Sequence, residues 1–208
     1  VTATFFGPVR VSVMLDSNGS NTTAAAAVLA AKRHLPLANA EALVLGGTGP
    51  VGQRAAQLLA MEGASVRVGS RSLERARRTC DAIAAAVPGS RLTAVETVSE
   101  EGMNSACRDV TLIIAAGAAG APLFSAEQRR SAGSLNVAID LNAVPPAGLE
   151  GIEVTDKAAE RDGVICYGAI GVGGTKMKIH KSAIQKLFES NDQMLDTEAI
   201  YRIGAAIG

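Results

Sequence analysis

The sequence predicts an α/β fold: a parallel sheet with helices on both faces, plus part of a second α/β unit. Three observations predict it. The runs "EALVLG", "VTLIIAAG" and "NVAIDLN" are short and continuously apolar, as expected of strands covered on both sides. They alternate with helical patterns of ten or more residues, the spacing of right-handed parallel crossovers. The chain is 48% hydrophobic but only 3% aromatic, with 22 glycines, so its core is built from Ala, Val, Ile and Leu. At 208 residues it can hold one domain and part of a second.

The elements follow in order. Val9 to Leu15 reads as a strand, Asp16 to Asn21 as a loop of turn formers, and the alanine-rich stretch after it as a helix. Asn21, Thr22 or Thr23 can cap that helix, and Pro36 ends it. "EALVLG" is a strand, "PVGQRAAQLLAME" a helix and "ASVRVGS" a strand. "LERARRTCDAIAAAV" is a helix with Leu73, Ala76, Cys80, Ile83 and Val87 on one side. Near the C-terminus, Thr175 is the expected N-cap of "KMKIHKSAIQKLFES", with Lys176 as the first helical residue. On a helical wheel Met177, His180, Ile184, Leu187 and Phe188 share one side, expected to face inward. Lys176 lies at the edge of that side, about 40° from His180. Lys178, Gln185 and Glu189 lie opposite, toward solvent.

Composition excludes several function classes. Lys+Arg and Asp+Glu both total 20, so there is no basic footprint for nucleic acid or a membrane surface. Three scattered cysteines, Cys80, Cys107 and Cys166, indicate reduced thiols in a cytoplasmic protein rather than a disulfide frame or a metal site. No apolar run reaches transmembrane length and no signal peptide is visible. The chain starts at Val1 and enters a strand-like run almost at once, so a preceding N-terminal segment is expected.

"VLGGTGPVG" contains Gly47-x-Gly49-x-x-Gly52 after a predicted strand and before a predicted helix. In that context the spacing is the fingerprint of a Rossmann-type dinucleotide site. The first glycine makes the turn, the second lets backbone approach a pyrophosphate, and the third lets helix and strand pack closely. Thr48, Pro50 and Val51 complete the cofactor loop, and Pro50 suits the first helical turn. A carboxylate about 20 residues further on would hold the ribose 2′-OH of NAD. Ser70-Arg71-Ser72 stands there instead, a guanidinium and two hydroxyls that suit the 2′-phosphate of NADP. Arg71 as a plain surface arginine is the alternative. Ala116 and Gly117, after the fourth strand, are expected beside the nicotinamide, with Asn142 reaching ring or substrate. Asn142 also reads as a simple turn residue before Pro145-Pro146.

The pattern leaves Lys176 open between a substrate-directed amine and a surface lysine. A cation at a helix N-terminus opposes the macrodipole by about 0.3–1 kcal/mol, and such a local conflict marks a functional site. A lysine whose stem covers apolar surface while its head reaches water is the alternative. His180 reads as a satisfied core or interface histidine.

Several stretches together resemble one family. "FGPVRVSVMLDSNGSNTTAAAAV", "LGGTGPVGQRAAQLLAMEGA", "DLNAVPPAG", "GAIGVGGTKMKIHK" and "KLFES" are similar to the NADP-dependent methylene-tetrahydromethanopterin dehydrogenases, relatives of which accept methylene-tetrahydrofolate. The resemblance implies hydride transfer from the substrate's methylene group to NADP, with Lys176 as the essential lysine. It implies a cofactor loop at Gly47 to Gly52, 2′-phosphate recognition at Ser70 and Arg71, and reduced-pterin contacts at Asp16, Asn18 and Ser20. It also implies residues 1–36 as the remnant of an N-terminal substrate domain, 37–175 as the NADP-binding domain, and 176–208 as helices returning to the substrate domain. A homo-oligomer is expected. The competing readings are a shikimate- or amino-acid-type dehydrogenase, which needs a general base, and a non-enzymatic NADP-sensing module.

Overall fold

The computed structural model describes residues 5–208; Val1 to Thr4, part of the segment expected to be a domain remnant, lie outside them. In chain order the elements are β1 (Val13–Met14), α1 (Ser20–Lys32), β2 (Glu41–Leu45), α2 (Pro50–Met61), β3 (Ser65–Ser70), α3 (Leu73–Ala86), β4 (Arg91–Glu96) and α4 (Glu100–Cys107). Then come β5 (Leu112–Ala115), α5 (Ala126–Ser131), β6 (Val137–Asp140), β7 (Lys157–Arg161), β8 (Val164–Tyr167), α6 (Ala169–Leu187), β9 (Met194–Leu195) and α7 (Thr197–Ile207).

The main sheet has the order β4-β3-β2-β5-β6-β8-β7. Every pairing is parallel except β7 with β8, a hairpin at the edge. Chain order reverses direction between β2 and β5, the point at which the loops after two adjacent strands diverge and open a ligand crevice. The Rossmann-type sheet expected from the sequence is therefore present, with one antiparallel edge strand added.

The strands are apolar throughout because both faces are covered. Ala42, Val44, Leu112, Ile114, Val137 and Ile139 face one core, shared with α1, α2, α3, α6 and α7. Leu43, Leu45, Ile113, Ala115 and Ala138 face a second core that includes Met103 and Ala106 of α4. Alternation along each strand thus divides one apolar run between two layers.

The first core is organised by α1, whose Ala24, Ala25, Ala26, Ala27, Val28 and Ala31 are fully buried. Small side chains let α2, α6 and α7 approach its axis closely. A Cβ on Gly204 of α7 would lie 2.7 Å from Leu29 and 2.8 Å from Ile179 of α6, so the three helices meet there. One turn away, Glu62 accepts hydrogen bonds from Lys32 at 2.8 Å and from the Tyr201 hydroxyl at 2.7 Å. Burial and the Glu62 carboxylate together hold the Tyr201 hydroxyl well above the ordinary phenol range. Residues 20–32 thus belong to the same core as the sheet.

Three local expectations need correction. The strand expected over Val9–Leu15 is reduced to Val13–Met14, paired with Met194–Leu195. Val9, Val11 and Leu15 are exposed, and in this run only the paired Val13 and Met14 are partly buried apolar residues, Met14 against the first core. The helix α1 is not capped by Asn21, Thr22 or Thr23; it begins at Ser20, with left-handed Gly19 before it. The largest difference is α6, which starts at Ala169 with Gly168 as its N-cap, not at Lys176 with Thr175. The expected boundary between residues 175 and 176 falls inside this helix.

The glycines explain that early start. A Cβ on Gly168 would lie 2.0 Å from the Glu153 carbonyl oxygen, and one on Gly171 would lie 1.7 Å from that of Asp156. The first turn of α6 therefore packs directly on the backbone of 153–156, a tertiary contact that outweighs glycine's poor helix propensity. The buried stripe is Val172, Ile179 and Ala183. Met177, Ile184 and Phe188, expected inside, are 48%, 40% and 85% exposed, while Leu187 is partly buried against the core. Lys178, Gln185 and Glu189 are exposed as expected. Among the described residues, no helix is long and apolar enough to cross a membrane.

Gly174 has no atom near the place its Cβ would occupy. Gly174→Ala should therefore stabilise the protein by about 0.5–1 kcal/mol, whereas Gly171→Ala should destabilise it by about 3 kcal/mol or prevent folding. Urea denaturation of the two variants checks both signs.

Candidate functional site

The first cluster is built from bare backbone at the β2–α2 turn. Gly46 has φ +68°, and a Cβ there would lie 2.7 Å from Gly117 in the loop after β5. The Gly47 amide donates to the Gly69 carbonyl at 2.9 Å, and the Gly49 amide to the Gly46 carbonyl at 3.0 Å. A Cβ on Gly52 would come within 2.4 Å of the Gly46 oxygen, and one on Gly47 within 2.8 Å of Val68. Gly46, Gly47 and Gly52 are thus required by their neighbours, while a Cβ on Gly49 would lie 3.3 Å from the Gly46 oxygen. Gly49 caps α2 without any side-chain hydrogen bond, and Pro50 opens the helix. The first-turn amides are left for an anionic ligand, as a pyrophosphate requires. Val51 packs against the core below the turn. The residues present fit a dinucleotide phosphate cradle.

At the tip of β3, Ser70 is buried and its Oγ accepts from the Ser72 amide at 3.2 Å. Thr48 Oγ1 lies 3.5 Å from the same oxygen, so the glycine turn and this tip meet. Ser72 Oγ caps α3 by accepting from the Arg75 amide at 3.3 Å. Arg71 is exposed, with its guanidinium available to a ligand. Ser70 and Ser72 shape the loop, and Arg71 is the open cation at its end.

Ala116 donates to the Leu45 carbonyl at 2.9 Å, and Gly117 packs against Leu123. Both therefore line the crossing of the β2 and β5 loops. Asn142 is buried within its own loop: its Nδ2 donates to the Pro146 carbonyl at 3.2 Å, and its Oδ1 accepts from the Val144 amide at 3.1 Å. The turn role weighed for it from sequence is the one its side chain fills here. Neighbouring Asp140, unremarked in the sequence, accepts from the Asn142 and Leu149 amides, each at 2.9 Å. Burial raises its carboxyl above the usual range despite those bonds.

The second cluster joins the "LDSNGSN" loop to α6. The Asp16 carboxylate, 6% exposed, caps α1 from outside the helix. Its Oδ1 accepts from the Asn21 and Thr22 amides at 2.8 and 3.0 Å, and its Oδ2 from Thr22 Oγ1 at 2.8 Å. Asn21 is buried, donating to the Leu15 carbonyl and accepting from Thr197 Oγ1 at 2.7 Å. Asn18 is exposed at the loop tip with φ 52°. Ser20 is 1% exposed, and its hydroxyl has no partner among the described residues.

Lys176 comes to this loop. It follows Val172 by four residues and precedes Ile179 by three, so it points inward with the buried stripe. A Cβ on Gly19 would lie 2.8 Å from its Nζ and 2.9 Å from its Cε, so glycine at 19 makes room for the ammonium. His180, one turn on, has Nδ1 3.5 Å from Asp16 Oδ2. It is not the core residue that was one expectation for it; it stands at the cluster's rim, with its side chain 38% exposed.

Sequence reasoning missed Gly46 and the Asp16–His180 pair. The doubled glycine of "LGGTG" was a usable signal for Gly46. The pair had none, because only folding brings the two residues together.

The parallel sheet, its switch point and the glycine cradle define a Rossmann-type dinucleotide-binding domain. No profile of a known protein family matches the chain. It is 42% identical over 201 residues to the bifunctional protein MdtA of Methylorubrum extorquens, covering 96% of this chain and 69% of that one. It is 33% identical over 213 residues to the NAD(P)-dependent methylenetetrahydromethanopterin dehydrogenase of the same organism, covering 98% and 71%. The chain belongs to the same family as these two proteins. Among solved structures, a transhydrogenase from Sinorhizobium meliloti superposes with a TM-score of 0.58 at 17% identity, over 90% of this chain and 53% of that one. This chain thus spans about half of that structure's length, and the likeness shows the fold.

Asp16→Ala should cost about 2 kcal/mol in thermal unfolding, the upper end for a lost helix cap, because its carboxylate accepts three bonds that hold the start of α1.

Proposed function

We propose that this chain transfers a hydride from the methylene group of methylene-tetrahydromethanopterin, or methylene-tetrahydrofolate, to NADP, giving the methenyl form. The observation that carries the reading is the seat of Lys176 over Gly19. It unites "GVGGTKMKIH" and "LDSNGSN", the two stretches most particular to the family, into one polar cluster. Kinship supports the same reaction, since a relative at 33% identity is an NAD(P)-dependent methylenetetrahydromethanopterin dehydrogenase.

NADP would be held by the turn from Gly46 to Gly52, with Arg71 pairing the 2′-phosphate beyond β3; the nicotinamide supplies the hydride acceptor. Preference for NADP rests on the open guanidinium of Arg71 and on the lack of an acid in Ser70-Arg71-Ser72. Losing hydride from a carbon between two nitrogens leaves a cation delocalised over their lone pairs. The step requires no proton transfer, so the chain's task is to position two rings and exclude water. Lys176 would orient the pterin by donating a hydrogen bond and would set the local charge beside the forming cation. Asp16 supports that arrangement from below, and Asn18, exposed at the loop tip, is the loop's remaining polar contact.

A second reading draws on the Asp16–His180 pair: an imidazole beside a carboxylate is the general base that an alcohol or amine dehydrogenase needs. Following reduced-nicotinamide absorbance with each reduced pterin, shikimate and amino acids separates the two, and turnover of a pterin alone is the expected result. Lys176→Ala should lower turnover about 100-fold while leaving NADP affinity within about twofold; turnover within a few-fold of the parent would rule out its role. Arg71→Ala should weaken NADP about 10-fold or more, the worth of a charge-assisted bond, and leave NAD unchanged in calorimetry.

A further inference from the structure

His180 has no part in the proposed hydride transfer, and it occupies a specific position. It follows Lys176 by one helical turn, so the two side chains leave the same side of α6 about 5–6 Å apart at their Cβ atoms. Asp16 Oδ2 lies 3.5 Å from its Nδ1. That carboxylate is itself immobilised by the amides of Asn21 and Thr22 and by the Thr22 hydroxyl. A fixed carboxylate facing Nδ1 selects the tautomer protonated there, which leaves Nε2 as a hydrogen-bond acceptor. The imidazole is 38% exposed, and no protein group bonds its Nε2 among the described residues. The lysine beside it is a donor only, with no carboxylate within 4 Å among the described residues.

A donor and an acceptor side by side at the mouth of one cluster have a chemical complement. Resting on the proposed reaction, we propose that His180, oriented by Asp16, contacts the substrate and with Lys176 reads the lactam edge of the pterin ring. The ring carbonyl accepts from the Lys176 ammonium, and the adjacent ring N–H donates to His180 Nε2. Asp16 is the positioning residue. Leu15 and Met177, 46% and 48% exposed and next in sequence to Asp16 and Lys176, add apolar surface to the same region.

The test compares two edges. Calorimetry on the intact chain with NADP measures tetrahydrofolate against its 2,4-diamino analogue, in which an amino group replaces the carbonyl and the ring N–H is lost. The parent protein should prefer the lactam by about 10-fold or more, since the analogue leaves buried polar groups unpaired. His180→Phe should raise KM for methylene-tetrahydrofolate about 10-fold with kcat within about threefold, and should compress that preference. His180→Gln, whose amide oxygen reaches toward the Nε2 position, should restore both to within about threefold of the parent. NADP affinity should stay constant throughout. A parent protein that binds both edges equally overturns the proposal without any variant, as does a His180→Phe enzyme with unchanged KM and preference. If the parent turns over neither reduced pterin, the proposed reaction itself fails and this inference with it.

Discussion

Backbone meeting backbone without side chains between is the constraint on which this structure rests. It occurs twice. At the switch point, Gly46 sits against Gly117 and Gly52 against Gly46, so the loops after β2 and β5 cross at atomic contact before they diverge. At the start of α6, Gly168 and Gly171 lie on the backbone of 153–156. Each glycine costs about 0.5–1 kcal/mol in chain entropy relative to alanine, a penalty offset by what the contacts permit. The first crossing shapes the cradle for phosphate, and the second fixes the origin of the helix that carries Lys176 and His180. Both functional clusters are consequences of where side chains were omitted.

The alanines of α1 extend the same logic to helix packing. With almost no side-chain bulk on its buried faces, α1 packs against α2, α6 and α7 together, and its position relative to α6 is set by hard contact rather than by flexible side chains. Asp16 then caps α1 from the preceding loop, so the loop's geometry is tied to the helix and through it to the sheet. A polar cluster built on such a frame can hold an ammonium and an imidazole at defined points, which is the requirement for preorganised recognition.

What was legible in the sequence was what local chemistry determines. β2, β5 and β6 announce themselves as unbroken apolar runs because both faces are buried, and the fingerprint at Gly47, Gly49 and Gly52 is local by nature. β7 is an edge strand, "KAAER", with mostly exposed residues, so its hydrophobic signal is too weak to read. The start of α6 was hidden for a different reason: "GAIGVGGT" reads as loop by propensity, and only packing against a distant segment makes it helical. The misplaced start also misdirected the wheel. Large apolar residues at 177, 184 and 188 suggest an inner face, whereas small Val172 and Ala183 with Ile179 are what fit against an alanine-lined neighbour.

Lys176 shows how a correct placement can outlive its first reason. In the third turn of α6 it lies beyond the reach of the dipole at the helix start, which falls off within the first turn, so the field argument does not apply. Its inward direction instead follows from its register with Val172, Ile179 and Ala183. A cation in a buried stripe must carry its charge out along its own stem, and Gly19, lacking a side chain, provides the exit. A lysine that snorkels out of the core and a lysine placed to meet a ligand are therefore compatible readings of one geometry. The same packing that lets the ammonium escape the core also determines where it emerges, beside the loop anchored by Asp16.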